Sequence, residues 1–213
     1  MNSISELYGP AGSGKSQLCL QLISSTITSD KNGHIFFIST QERFIIERLI
    51  DFLPYDVDHR ECLDRVHLQY FLDPEDELRF ISYELPLLTQ RYNYKAIIYD
   101  GIASNARIIE SVFEKSHHIN QLVGAFRRIM ACHETAVLIT NQITEVPGDF
   151  DANRKSALGL SLDNNVNIKV YLEYSKSTGK RSFNLVKSIF SPLGGEYFTI
   201  ESNCIMGVEP ESG

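Results

Sequence analysis

Eight consecutive residues, Gly9-Pro10-Ala11-Gly12-Ser13-Gly14-Lys15-Ser16, satisfy the pattern G-x-x-x-x-G-K-[ST]. Each residue type has a chemical reason to be there. The glycines reach backbone angles that turn successive N–H groups toward one anion. A helix starting at the end of the loop adds the partial positive charge of its N-terminus. Lys15 supplies a point charge for the β- and γ-phosphates, and the Ser16 hydroxyl is a hard oxygen ligand for Mg²⁺. A second candidate lies downstream, where Asp100 closes the apolar run Ala96-Ile97-Ile98-Tyr99. A carboxylate at the end of a buried strand can reach a metal ion through a water molecule.

These residues need elements that hold them. Ile4–Tyr8 reads as a short strand running into the glycine loop, and Leu18, Cys19, Leu22 and Ile23 follow at helical i,i+4 spacing. His34–Ile38 is a continuous apolar strand, the pattern of a sheet covered on both faces. Phe44–Leu53 is helical by spacing, Val66–Tyr70 is a strand, and Leu78, Ile81, Leu85 and Leu88 mark a helix that Pro86 kinks or splits. Ile119, Leu122, Val123, Phe126, Ile129 and Met130 form the cleanest helical stripe, ahead of a strand at Ala136–Thr140. Val166, Ile168, Val170, Leu172 and Tyr174 alternate with polar or exposed-type neighbours, as in a half-buried strand. Further strands carry Phe183, Leu185 and Ile189, and then Tyr197–Ile200. The expected fold is α/β: a mostly parallel central sheet flanked by helices, with a C-terminal antiparallel extension. All 213 residues read as one domain, with 146–165 as a long mobile loop.

Composition narrows the function classes. A net charge of −7, with the acidic excess in the first half, is unlike a protein that binds nucleic acid by charge alone. No apolar run approaches the ~18 residues of a membrane span, and Met1–Tyr8 does not read as a signal peptide. Cys19, Cys62, Cys132 and Cys204 lack metal-site spacing and read as reduced core thiols. His117-His118 has no partner at metal-ligand spacing.

The stretch Ile4–Leu22, and above all its Gln17–Leu22 continuation past the glycine loop, resembles the RecA/RadA recombinases. It is most similar to their eukaryotic paralogues and archaeal RadB. Phe37-Ile38-Ser39-Thr40-Gln41, Leu138-Ile139-Thr140-Asn141-Gln142, and Ala157-Leu158-Gly159-Leu160 through Val170-Tyr171-Leu172 to Ser191-Pro192 match in order. The resemblance implies a RecA-like P-loop NTPase core that binds ATP and Mg²⁺. Gly9 to Ser16 and Asn141 would contact nucleotide, Ser16 and Asp100 the metal, and Gln142 would sense the γ-phosphate. It also implies a catalytic glutamate where this chain has Gln41, and an acidic residue capping a neighbour's ATP where it has Phe190. Glutamine can orient a water but cannot accept its proton. Glu42, the next residue, could substitute only if it turned toward the same water.

Two segments take the positions of the family's DNA-facing loops: 103–116, with Arg107 and Lys115, and 146–165, with Arg154 and Lys155. Nearby Glu110, Glu114, Asp149 and Asp151 oppose them. The chain begins at the first core strand, so self-polymerisation through a preceding linker is not expected. Three readings follow. The first is an ATP-binding paralogue that assists recombinase filament assembly on single-stranded DNA within a hetero-oligomer, in the nucleus if the organism is eukaryotic. The others are a DNA-dependent ATPase that forms its own filaments, and an unrelated small-molecule kinase. If the missing base limits turnover, Gln41→Glu raises the ATP hydrolysis rate in a steady-state phosphate-release assay. An unchanged rate would mean that another part of the hydrolytic machinery is also missing.

Overall fold

The computed structural model describes residues 2–40, 46–144, 155–176 and 179–208. Gln41, Glu42 and Arg154 lie outside them, as do most of the first half of the 146–165 segment and the start of the Phe44–Leu53 helix.

The sheet has nine strands: β1 (Ile4–Tyr8), β2 (His34–Ser39), β3 (Val66–Tyr70), β4 (Tyr94–Asp100), β5 (Ala136–Asn141), β6 (Ile168–Tyr174), β7 (Arg181–Lys187), β8 (Gly194–Ile200) and β9 (Ile205–Val208). Their spatial order is β3-β2-β4-β5-β1-β6-β7-β8-β9. Pairing is parallel from β3 through β6 and antiparallel beyond it. The expected mostly parallel sheet is therefore present, and its C-terminal antiparallel extension begins at the β6–β7 pairing.

The apolar runs sort their side chains onto two faces, because successive residues of a strand point opposite ways. Phe36, Ile38, Ile97 and Tyr99 face one core, with Ile81, Leu85, Ile119, Leu122 and Phe126. Ile35, Phe37, Ala96 and Ile98 face the other, with Cys19, Ile23, Ile27, Leu49 and Phe52. Each such side chain, fully buried, stabilises the fold by roughly 1.5–3 kcal/mol relative to exposure.

The helices are α1 (Lys15–Ser29), α2 (Ile46–Phe52), α3 (His59–Leu63), α4 (Pro74–Arg79), α5 (Leu85–Arg91), α6 (Ile102–Ile108), α7 (Val112–Cys132) and α8 (Gly159–Asp163). In α1 the buried stripe is Cys19, Leu20, Ile23 and Ile27, while Leu22 is exposed. Between α4 and α5 the chain widens into one π turn, Phe80–Glu84, just ahead of Pro86. Proline has no N–H for the carbonyl four residues back, and the wider turn absorbs that defect. The split expected at Pro86 is a change of helical pitch. Helix α3 is short enough to escape periodicity, although its cap Asp58 accepts from Arg60 N and Glu61 N.

Several expectations change. Residues 103–116 form α6 and the capped start of α7 rather than a loop. Residues 155–165 are structured too: Ser156 bridges Ile143, and α8 follows. Strand β6 is buried on both faces, including Lys169 and Tyr171, because it is an interior strand between β1 and β7. Ile189 falls beyond β7 and is exposed, β9 had no clear signal, and Cys132 is exposed rather than a core thiol.

Two buried carboxylates sit inside this framework. Glu6 of β1 lies against Lys169 of β6 at 3.4 Å and accepts from Asn141 Nδ2 at 2.8 Å. Burial raises its pKa, and the Lys169 charge works against that rise. Glu77 of α4 accepts from Asn105 Nδ2 at 2.8 Å and lies 3.9 Å from His118 Nε2, with no lysine or arginine paired to it among the described residues, and burial pushes its pKa up to about 8. Between its ordinary value and about 8, the unfolded chain releases a proton that the folded chain holds, so stability falls as pH rises through that window. Glu77→Gln keeps an acceptor for Asn105 and removes the proton. In urea unfolding the variant gains on the wild type from pH 5 to pH 8, by about 1.4 kcal/mol per pH unit at most. A difference independent of pH would mean that Glu77 is not held protonated.

Candidate functional site

Strands β1, β4 and β5 end side by side at Tyr8, Asp100 and Asn141, and the loop 9–14 springs from the first of them. Ligands of parallel α/β sheets bind at this carboxyl edge. Gly9 stands where β6 passes so close that an added Cβ would lie 2.2 Å from Leu172 O. Gly14 has φ of 107°, a left-handed conformation that a side chain resists, and it is the N-cap of α1. No side chain caps that helix, and its first turn carries no acidic residue. Its leading N–H groups and positive dipole end are therefore directed at the loop, where an anion is the natural partner.

Lys15 Nζ donates to Gly9 O at 2.8 Å and Pro10 O at 2.9 Å, folded across the loop it serves. Burial lowers its pKa and the nearby Asp100 carboxylate raises it. Ser16 Oγ donates to Asp100 Oδ2 at 3.0 Å, across 84 positions of sequence. The other carboxylate oxygen accepts from Thr140 Oγ1. Thr140 in turn accepts from Gly101 N at 2.9 Å, and Thr40 Oγ1 donates to Gly101 O at 2.6 Å. The Asp100 carboxylate is thus held by hydroxyls from α1 and β5, and the backbone after it by Thr40 and Thr140. A serine hydroxyl and a carboxylate in contact are the oxygen donor set that suits Mg²⁺. The glycine cradle and the uncapped helix suit the phosphates such an ion accompanies.

The cleft has a volume of about 310 Å³, lined by Ala11, Gly12, Lys15, Asp100 and Gln142 among others. Arg181 of β7 also lines it, with its guanidinium 4.6 Å from the Tyr174 ring centroid. Its Nε is buried and has no hydrogen-bond partner among the described residues. Arg181 reads in the sequence as a turn charge beside Lys180, and only the β6–β7 pairing carries it to the phosphate loop. Thr140 is the other residue without an assigned role in the sequence, although it stands one position before the Asn141-Gln142 pair.

Residues 1–208 of the chain match the Rad51 family model. The chain belongs to the Rad51 family. Among its relatives is the fission-yeast (Schizosaccharomyces pombe) DNA repair protein rhp57, 28% identical over 181 residues, covering 71% of this chain and 51% of that protein. Another is the DNA repair and recombination protein RadB of Methanocaldococcus jannaschii, 27% identical over 155 residues, 70% of each chain. This Rad51-family chain therefore spans about half the length of the fission-yeast relative.

The remaining candidate residues have definite positions. The Asn141 amide donates to Glu6 Oε1 at 2.8 Å and Ala157 O at 2.6 Å, and its oxygen accepts from Gln142 N. Engaged in this way, Asn141 still lines the cleft, next to Gln142. Gln142 Oε1 accepts from Arg107 at 2.6 Å, so Arg107 leans on the end of β5. Lys115 is half-buried on α7, and Lys155 is exposed with its carbonyl accepting from Thr144 N at 2.8 Å. Arg107, Lys115 and Lys155 sit on three different segments: α6, α7 and the stretch before α8.

Arg181→Ala removes the unpaired guanidinium and leaves the loop intact. Nucleotide affinity, measured by fluorescence titration, falls about tenfold, equivalent to about 1.4 kcal/mol, while the thermal midpoint of the nucleotide-free protein stays close to wild type. An unchanged affinity would assign Arg181 to packing on Tyr174 alone.

Proposed function

We propose that this protein is an ATP-binding recombinase paralogue that acts in homologous recombination and DNA repair. In this reading, it assists filament assembly by a RecA-type recombinase on single-stranded DNA, as a member of a hetero-oligomer with other paralogue chains. Family membership and the names of both relatives support the general role. The observation that carries the nucleotide assignment is the Ser16–Asp100 contact beside Lys15 at the mouth of an uncapped α1. One nine-stranded sheet runs through the described chain, which supports treating 1–213 as a single ATPase-core unit. If the organism is eukaryotic, such a protein works in the nucleus.

Ser16 and Asp100 would hold Mg²⁺, which neutralises charge on the β- and γ-phosphates when bound. Lys15 and the amides of 12–16 would hold the phosphates, and Gln142, braced by Arg107, stands at the rim where the terminal phosphate would be read. Gln41 takes the place of the base and can orient water without accepting its proton. Phe190, 43% exposed beyond β7, offers no carboxylate to a neighbour's nucleotide. Both substitutions favour a protein that binds ATP and turns it over slowly, so that the nucleotide supports an interface.

The decisive experiment pairs ATP affinity with ATP turnover, with and without single-stranded DNA, on one preparation. Tight Mg²⁺-dependent binding with negligible turnover is expected, and Lys15→Ala loses at least a hundredfold in affinity. DNA-stimulated turnover by the wild type would instead favour an ATPase that forms its own filaments. Unchanged affinity in Lys15→Ala would remove the phosphate-loop assignment.

A further inference from the structure

A groove of about 570 Å³ lies between the start of α4, the end of α6 and the start of α7, away from the phosphate cleft. Pro74, Leu78, Ile108, Ile109 and Phe113 give it an apolar lining. Its rim is conspicuously open: Phe113 is 80% exposed, Val112 beside it 78%, and Ile108 58%. These large apolar side chains, at the end of α6 and the start of α7, are exposed to water, and a partner would stabilise them by covering.

The charges on this groove decide what kind of partner fits. Glu75, Glu110 and Glu114 line it, and among the described residues no lysine or arginine does. None of these three carboxylates is in an ion pair among the described residues. Arg79 and Arg128 line the adjoining pocket that shares Glu75; Arg79 is held by Asp76 at 2.8 Å, and Arg107 of α6 is turned to Gln142. The lining also includes His118, a buried imidazole whose Nε2 has no hydrogen-bond partner and stands 3.9 Å from Glu77. Burial lowers the His118 pKa, so it adds no positive charge at neutral pH. A nucleic-acid backbone would meet three uncompensated carboxylates here, and a second copy of this face would bring three more.

We propose that this groove docks an amphipathic, lysine- or arginine-rich segment of a protein partner, with its apolar side on Ile108 and Phe113 and its cations on Glu75, Glu110 and Glu114. A helix laid in a groove with complementary charges at its edges is an established mode of peptide recognition. The segment 103–116, which occupies the position of a DNA-facing loop, then serves as a protein-binding face in this chain.

The test uses the full chain and fluorescence anisotropy at low salt. The probe is an 18-residue labelled helical peptide with leucine on one face and lysine on the other. A control peptide replaces each lysine by glutamate, and an unlabelled oligo-dT serves as competitor. The lysine peptide binds, and the glutamate peptide binds at least tenfold more weakly. Affinity for the lysine peptide drops at least tenfold in the triple variant Glu75→Gln/Glu110→Gln/Glu114→Gln and in Phe113→Ala. Unchanged ATP affinity shows that each variant folds; if the triple variant loses it, Glu110→Gln alone, expected to weaken the peptide about threefold, takes its place. No binding of the lysine peptide, equal binding by the variants, or displacement of the peptide by oligo-dT would overturn the proposal.

Discussion

The parallel pairing of β1 with β5 on one side and β6 on the other decides where the atoms of the candidate site meet. It sets Tyr8 opposite Asn141 and Tyr171, so the loop that leaves β1 emerges between the end of β5 and the middle of β6. The approach is close enough that Gly9 has no room for a side chain against Leu172 O. With the loop pinned there, α1 must start under it, and Ser16 in the first turn faces Asp100 at the end of β4. The same pairing places β6 so that β7, its antiparallel neighbour, delivers Arg181 to the far wall of the cleft. A slip of one residue in β1 would invert its faces and move Glu6 out of reach of Lys169.

The sheet also carries charge through its interior. Glu6, Lys169, Asn141, Ser156 and Asp163 form one connected set, with Lys169 donating to Ser156 Oγ at 2.7 Å and contacting Asp163. Such a set is costly to desolvate and strongly destabilising to break, at about 3–5 kcal/mol for the loss of one partner. It links the end of β5, where Asn141 and Gln142 stand, to the 155–163 segment through Asn141 and Ala157 O. Lys169 also lies 4.7 Å from the Tyr8 ring centroid, immediately before the phosphate loop. The nucleotide end of the sheet and the segment after β5 are therefore held by one set of polar contacts rather than by apolar packing alone.

The two faces flanking the cleft differ in chemistry. Around the phosphate loop, the positive groups Lys15 and Arg181 converge with the dipole of α1. Around α6 and the start of α7, exposed apolar side chains sit among carboxylates, and the cations of 103–116 are diverted: Arg107 to Gln142, Lys115 to a half-buried place on α7. A surface of this kind is suited to another protein more than to a polyanion.

Much of this was legible in the residues themselves. The phosphate loop, the strands β1 to β5, the α7 stripe and the Asp100 strand end follow from local rules: glycine angles, periodicity and the apolar runs of a doubly covered sheet. Those signals lie within a few residues of one another, so a linear reading captures them. The linear reading misjudged residues whose environment is set from far away. Lys169 alternates like an exposed residue, yet it is buried because β6 is an interior strand and Glu6 lies on the next one. Arg181 looks like a turn charge, and 103–116 takes the position of a loop. Only the packed structure turns the first into the cleft and winds the second into helix, because which groups share a desolvated space depends on strand order and helix docking. The sequence by itself determined that this protein can cradle phosphate; the tertiary structure decided which charges face that cradle and which face away from it.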